Sequence, residues 1–349
     1  VLHFRTAVLF AIVGLLLSLP LPILPSSARL AVADEPVSAE ALNSIFEGSV
    51  PRGPADLKAM QEHLQSLSEQ VLPATVAVQV GQAQGSGVIV SNDGYILTAA
   101  HVVGREGRPA TIVLHDGRRV RGRTLGLFRT MDAGLVKIVT SPEDLGRKTW
   151  EFASMGASSD LRPGQWCLAT GHPGGFQSAR TPVVRVGRIL AVDPETAITT
   201  DCTLVGGDSG GPLFSMNGEV IGVHSRIGGP LTLNLHVPVD TYRESWDRLA
   251  ASEVWGFVPG DEPYIGVVGQ TDTEVAKITQ VVRGTPAEKA GVQVGDVITR
   301  IGSQKVTTFE SLKQFVTSQT PGTRVDLVVQ RGNEILELNL TIGKRRDYE

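Results

Sequence analysis

Gly206-Gly207-Asp208-Ser209-Gly210-Gly211-Pro212-Leu213 encloses one serine in glycines directly ahead of an apolar strand. Glycine permits positive φ and a close approach of backbone to ligand. The turn can therefore expose the Ser209 hydroxyl while the amides of Gly207 and Ser209 converge on one small space, which is what a developing oxyanion needs. The full string is far more specific than a Gly-x-Ser-x-Gly match, so we read it as a nucleophile turn rather than a structural one.

A serine at its own pKa is a weak nucleophile and needs a base beside it. Of the seven histidines, His101 is best placed, closing the strand-like run Leu97-Thr98-Ala99-Ala100 where small residues leave room for a substrate. His3 lies in the leader, His63 on a helix and His115 in a polar turn, while His172, His224 and His236 stay open as alternatives. The imidazole must in turn be oriented by a buried carboxylate. Asp132 opens the apolar run Ala133-Gly134-Leu135-Val136-Lys137-Ile138, which draws it inward; its competitor, Asp116 in His115-Asp116-Gly117, reads as a solvated turn.

Around these residues the chain is a series of short β-branched runs at 74–80, 86–90, 95–98, 111–114, 135–139, 165–170 and 220–223, broken by Gly, Asn and Asp. Close-spaced strands with turn signals predict a mainly β fold, a barrel or sandwich, and no helix–strand alternation supports a Rossmann-type sheet. Upstream, Leu57, Met60, Leu64, Leu67 and Val71 recur at spacings of three and four, which predicts a helix with one apolar side. That side needs a partner, either its own domain or another subunit. Residues 34–54 carry little pattern. Downstream, 251–262 reads as a linker rich in Gly and Pro, and 263–345 as a compact α+β module with strands at 275–282, 297–301, 325–330 and 335–342 and short helices at 286–290 and 309–317.

Composition narrows the function. The 349 residues carry 32 Lys+Arg against 36 Asp+Glu, a net charge of −4, which argues against a polyanion-binding surface and hence against nucleic acid as main ligand. Arg5, the apolar run 7–19, and Ala31-Val32-Ala33 before Asp34 read as a secretory signal peptide over 1–33, with an uncleaved membrane tether as the alternative. The chain beyond it, 34–72 and a body at 73–250, is then expected outside the cytoplasm, periplasmic or secreted. Cys167 and Cys202 are the only cysteines, and pairing and two free thiols are equally open. Gly85-Ser86-Gly87 lacks the Gly-Lys-Ser/Thr continuation of a phosphate loop, and no Cys/His/Glu cluster has metal-ligand spacing, so no cofactor is implied.

Taken together these residues resemble the trypsin-like serine proteases of the HtrA/DegP family. The resemblance runs from about Ala74 to the end. It rests on Ser86-Gly87-Val88-Ile89-Val90, the run ending at His101, Asp132 with Leu135-Val136-Lys137, Gly171-His172-Pro173-Gly174-Gly175, Thr200-Asp201, the Ser209 string and His236-Val237-Pro238-Val239. It implies a trypsin-like double β-barrel with His101, Asp132 and Ser209 as the catalytic residues in the cleft. It also implies a specificity pocket lined by Leu204 and Ile227 for a small or medium apolar side chain, with Arg226 able to admit an acidic one. Two departures bear on this. Asp208 stands where the family usually has Asn; digestive trypsin-like enzymes also have Asp there, paired with a newly released N-terminal amine. No such activation is expected here, and a basic side chain such as Arg226 or Arg180 is the expected partner. The other is Cys202-Thr203-Leu204-Val205 ahead of the string.

In the C-terminal module, Tyr264-Ile265-Gly266-Val267, Gly284-Thr285-Pro286-Ala287, Ala290-Gly291-Val292, Gly295-Asp296-Val297-Ile298 and Ile301-Gly302 resemble a PDZ domain of the HtrA kind. The resemblance implies that amides around Ile265, Gly266 and Val267 receive a terminal carboxylate while the peptide adds a strand; the other reading is a PDZ fold whose groove is unused. The function implied is an ATP-independent serine endopeptidase for unfolded or damaged polypeptide, assembled as a homotrimer or higher homo-oligomer. Two alternatives are a proteolytically silent PDZ-containing chaperone and a sensor protease for one regulatory substrate.

Overall fold

The computed structural model describes residues 37–348 except 179, 229, 231, 232 and 272, so the leader expected at 1–33 lies outside the described residues. Two helices come first, α1 (Ala39–Phe46) and α2 (Pro54–Val71). The expected helix is α2; its Met60, Leu67 and Val71 are buried in one cluster with Phe214 and Met216, whereas Leu57 is 58% exposed, so the apolar side packs on its own chain in part. Helix α1 was not expected from the patternless leader. Ser38 caps it, its Oγ accepting from the Ala41 amide at 3.1 Å, and Ile45 and Phe46 bury its end, with Phe46 against the His63 ring.

Strands β1 (Thr75–Val80), β2 (Ala83–Ile89) and β3 (Tyr95–Ala99) lead into a single helical turn, α3 (Ala100–Val103), followed by β4 (Pro109–Val113), β5 (Arg119–Phe128) and β6 (Ala133–Ile138). They form an antiparallel sheet in the order β5-β4-β1-β2-β3-β6 that closes by pairing β5 with β6. Closure leaves few free edges; the exception is the end of β5, which Val254–Trp255 takes up. Val76, Val78, Ile96, Ile112, Val136 and Trp150 fill the interior. The expected turn at Asn92-Asp93-Gly94 joins β2 to β3, and Gly94 is required there, since a Cβ would lie 2.8 Å from the Trp150 ring.

Strands β7 (Trp166–Gly171), β8 (Val183–Asp193), β9 (Ala197–Thr200), β10 (Pro212–Phe214), β11 (Val220–Ile227) and β12 (Asn234–Pro238) build a second closed barrel in the order β10-β11-β12-β9-β8-β7. Its interior holds Cys167, Ala169, Ile189, Ile198 and Leu213. Between the barrels a larger cluster joins Leu97, Leu135, Leu168, Phe214, Val223 and Tyr242. The Tyr242 hydroxyl, in α4 (Val239–Glu244), donates to Thr98 O at 2.7 Å, and Thr75 and Thr170 bond hydroxyl to hydroxyl at 2.7 Å. These bonds satisfy buried polar groups that would otherwise cost stability.

After α5 (Trp246–Ala250) the chain runs through the stretch expected to be a linker. Val254–Trp255 forms β13, paired parallel to Leu127 and Phe128 of β5, with Trp255 stacked on Phe128 at 4.9 Å. An aromatic pair and free strand-edge amides dock this segment on the first barrel.

The C-terminal module comprises β14 (Pro263–Tyr264), β15 (Val267–Gly269), β16 (Ala276–Val281), α6 (Pro286–Ala290), β17 (Val297–Ile301), β18 (Gln304–Lys305), α7 (Phe309–Ser318), β19 (Arg324–Arg331), β20 (Glu334–Thr341) and β21 (Gly343–Lys344). Its main sheet runs β15-β16-β17-β19-β20, and β14 pairs with β21. Thr308 caps α7 through a capping box with Ser311, while Leu312 and Val316 face the core.

Candidate active site

His101 projects from α3, two residues past the end of β3. Asp132 precedes β6, the neighbour of β3, and adopts φ +61°, a left-handed conformation that Asp tolerates better than most residues. That geometry folds the carboxylate back over α3. Asp132 O accepts from the Ala100 amide at 2.8 Å, and Oδ1 accepts from the His101 amide at 3.0 Å. The imidazole Nδ1 donates to Oδ2 at 2.9 Å, so the ring is held by the same carboxylate that positions its backbone. Asp132 is 8% exposed and the His101 side chain 50%, which leaves Nε2 on the cleft side. The competitor Asp116 is bound to Arg118 and Arg147 in a surface network, and these partners, opposing the effect of burial, bring its carboxyl down to about 2.

A third partner of Asp132 comes from the other barrel. Ser225 Oγ donates to Oδ2 at 2.6 Å. Sequence reasoning missed Ser225, which carries no local motif; the β11–β12 register shifts between His224 and Arg226, a bulge that aims the serine out of the ladder.

Ser209 sits on the turn before β10. Its carbonyl accepts from the Ser86 amide at 2.8 Å, Gly210 N–H donates to His224 O at 2.7 Å, and a Cβ on Gly210 would lie 3.0 Å from Ala99 N. The nucleophile turn therefore abuts the end of β3, next to α3 and His101. No hydrogen bond joins His101 Nε2 to Ser209 Oγ among the described residues; such bonds often form only once substrate is bound. The amides of Gly207 and Ser209 likewise donate to no protein atom among the described residues. Ser86 braces this turn too, donating through Oγ to Gly207 O at 2.8 Å and accepting from the His172 amide at 2.9 Å.

Asp208 is fully buried and its partner is neither Arg226 nor Arg180. Arg185 of β8 reaches Oδ2 at 3.0 Å, and the Val205 amide donates to the same oxygen at 2.9 Å. Burial pushes the Asp208 carboxyl up, against the pull of that amide, of Arg185 and, without direct contact, of the Arg180 charge. Arg180 is spent on the carbonyls of Pro173 and Gly175. Arg226 is exposed and lines a cavity of about 350 Å³ with His101, Asp132, Arg129, Val258 and Pro259. Of the residues expected at the specificity pocket, Leu204 is buried and its amide donates to Asn234 Oδ1 at 3.0 Å; Ile227, paired with Asn234 across β11 and β12, is 46% exposed.

The three alternative histidines are all buried. His172 is buried with both ring nitrogens unpartnered, and burial, reinforced by Arg180, lowers its pKa to about 4. His224 and His236 are fully buried and share a hydrogen bond of 2.9 Å between their Nδ1 atoms. His224 Nε2 lies 3.1 Å from Thr170 O, and His236 Nε2 2.7 Å from Thr200 Oγ1. Two neutral rings satisfy every contact only if His224 donates to the carbonyl, His236 donates to His224, and Thr200 donates to His236.

In the C-terminal module, Tyr264, Ile265, Gly266 and Val267 line one cavity of about 180 Å³ with Leu312 and Val316 of α7. The Ile265 and Gly266 amides donate to no protein atom among the described residues, while the carbonyls of the same two residues accept from Ala287 and Val282. Such a loop offers amides to an anion beside an apolar groove.

The family profiles agree with this architecture. The family profile for the trypsin-like peptidase domain matches residues 85–223, and that for the PDZ domain residues 263–342. The protein named "Probable periplasmic serine endoprotease DegP-like" of Chlamydia muridarum is 34% identical over 283 residues, covering 74% of this chain and 54% of the relative. Its namesake in Halomonas elongata is 33% identical over 280 residues, 76% of this chain and 57% of the relative. The chain thus spans just over half the length of the curated relatives it matches. Among solved structures, a serine endoprotease from Yersinia pestis has a TM-score of 0.49 at 23% identity, covering 85% of this chain and 99% of that one. The HtrA-type protease AlgW with a decapeptide has the same TM-score at 23% identity, covering 80% and 98%. With a trypsin-like peptidase domain followed by one PDZ domain, the chain is homologous to the DegP/HtrA serine endoproteases.

Proposed function

We propose that the chain is a serine endopeptidase that cleaves unfolded or damaged polypeptide by acyl transfer, without ATP. Ser209 Oγ attacks the scissile carbonyl carbon as its proton passes to His101 Nε2. Asp132 holds Nδ1–H and offsets the imidazolium charge, and the Gly207 and Ser209 amides receive the oxyanion. His101 then returns the proton to the leaving amine, and water repeats the sequence on the acyl-enzyme. Leu204 and Ile227 contact the side chain before the scissile bond, and Arg226 with Arg129 favours acidic groups nearby. The PDZ groove at Tyr264–Val267 takes apolar C-termini as an added strand. The protein works in the periplasm, as its relatives' names suggest, as a homotrimer or larger homo-oligomer delivered by the leader at 1–33.

The observation that carries this reading is the 2.9 Å bond from His101 Nδ1 to a carboxylate also held by Ser225, beside a serine turn with two unengaged amides. The test is a fluorophosphonate probe followed by digestion of a casein-like unfolded protein. Labelling and cleavage that both disappear in Ser209→Ala support the endopeptidase. No labelling under any peptide or temperature condition would leave the silent chaperone, and one defined substrate cut while casein is spared would favour the sensor protease.

A further inference from the structure

The nucleophile turn is built from two consecutive tight turns that share Asp208. Its amide donates to Val205 O at 3.1 Å, and its carbonyl accepts from Gly211 at 2.8 Å. Between them the Asp208 side chain points into the second barrel with no solvent exposure. The amides on either side, of Gly207 and Ser209, are the two that no protein atom engages. A residue at the hinge of two turns fixes the outward aim of its neighbours only if its own side chain is held inward.

Here what holds it is a charge. Asp208 Oδ1 has no hydrogen-bond partner and crowds the backbone of Gly171, where a Cβ would lie 2.6 Å away. Apart from the Val205 amide, the partner is Arg185, whose side chain is 19% exposed. Arg185 sits opposite Ala169 in the β7–β8 ladder, so the barrel register delivers its guanidinium under the turn. The remaining cation nearby, Arg180, binds carbonyls of the 173–175 loop, which packs on the same turn through Gly174 N–H to Gly206 O at 2.6 Å. A buried carboxylate left without its cation would turn toward water and carry the flanking amides with it.

We propose that Arg185 is a positioning residue for hydrolysis, anchoring Asp208 inward and so aiming the Gly207 and Ser209 amides at the acyl oxygen. The inference rests on the endopeptidase reading above, and adds a dependence on a side chain that touches neither substrate nor triad.

The experiment compares Arg185→Met, Arg185→Lys and the pair Arg185→Met with Asp208→Asn, by steady-state cleavage of a fluorogenic peptide and by hydrogen exchange of residues 203–211. Removing an oxyanion donor costs on the order of 10² in kcat. Arg185→Met should lose kcat by about that factor with KM within about twofold of wild type. Arg185→Lys, which keeps the charge, and the double variant, which leaves no unpaired buried charge, should each return to within about tenfold of wild type. Exchange at 203–211 should rise in Arg185→Met and fall back in the double variant. An Arg185→Met enzyme with kcat within about twofold of wild type, or a double variant no better than the single one, overturns the proposal. Should Arg185→Met fail to fold, a folded and active double variant sustains the proposal and a folded, inactive one overturns it. A wild type that cleaves no polypeptide sinks the endopeptidase reading instead. Exchange then decides alone: unchanged protection in Arg185→Met overturns the inference, and a rise reversed by the second substitution sustains it.

Discussion

Ser225, carried by the second barrel, donates a hydrogen bond of 2.6 Å to Asp132, carried by the first. Both residues are 8% exposed, so this bond is made where water competes little. It ties the carboxylate that orients His101 to the strand whose neighbour, His224, holds the nucleophile turn through its backbone. The relative placement of His101 and Ser209 therefore depends on this seam between the barrels.

Losing a hydrogen bond to a charged group costs about 1.5 kcal/mol or more. Ser225→Ala should accordingly lower kcat/KM at least about tenfold. Asp132→Asn, which leaves His101 with the wrong tautomer, should lower kcat by about 10⁴. Steady-state peptide hydrolysis measures both, and a Ser225→Ala enzyme equal to wild type would show that the seam is ornamental.

Gly210 has φ +86°, and a Cβ there would collide with Thr98 Oγ1 and Ser86 O. Gly210→Ala combines backbone strain of about 1–3 kcal/mol with separation of the serine turn from β3. We expect turnover to fall by at least about 10² and the thermal midpoint to drop by several degrees. Circular dichroism melts and active-site labelling check the two effects separately.

Both members of the His224–His236 pair are held neutral by burial, which lowers His236 to about 3 and His224 well below its ordinary value. In the unfolded chain they titrate near ~6.5. Because the folded values are the depressed ones, stability is full above that pH. Below it the unfolded state gains protons that the fold refuses, down to the folded values. The loss approaches about 1.4 kcal/mol per pH unit for each ring. Thermal midpoints from neutral to acid pH should show it, and a double variant with His224→Met and His236→Met should have a shallower slope.

Cys167 and Cys202 face each other with sulfurs 3.8 Å apart beside Gly187, whose missing side chain makes room; a Cβ there would lie 2.6 Å from the Cys202 sulfur. Exchange with oxidised glutathione should bond them, each thiol giving up its hydrogen as the glutathione disulfide is reduced to two thiols. The bond should raise stability by about 2–4 kcal/mol. A non-reducing peptide map would reveal the cross-link, and two alkylatable thiols after such treatment would refute it.

Gly266 has φ +84°, and a Cβ would run into the Thr285 side chain. Gly266→Ala should weaken binding of an apolar C-terminal peptide to the groove by about tenfold or more while leaving Ser209 labelling intact. Fluorescence polarisation of the peptide provides the measurement.

Several features were legible without coordinates. The Ser209 string, His101 at a strand end and Asp132 before an apolar run each carry their chemistry in adjacent residues. The close-spaced β-branched runs announced a mainly β fold, and the spacing of Leu57, Met60, Leu64, Leu67 and Val71 announced α2. Helix α1 and strand β13 were not legible. Each is short and gains its order from contacts distant in sequence, Phe46 with His63 and Trp255 with Phe128.

What the chain order determined by itself is the set of candidate reacting groups and the glycines that let a turn present one of them, because dihedral preference and apolar periodicity act between near neighbours. What only the tertiary structure decided is who meets whom: Arg185 rather than Arg226 or Arg180 at Asp208, Ser225 at Asp132, and two buried imidazoles sharing one proton line. Those pairings are set by strand register, a bulge and the closure of a barrel. They form where a buried charge or polar atom must find a partner through space, and no local pattern encodes which partner that is.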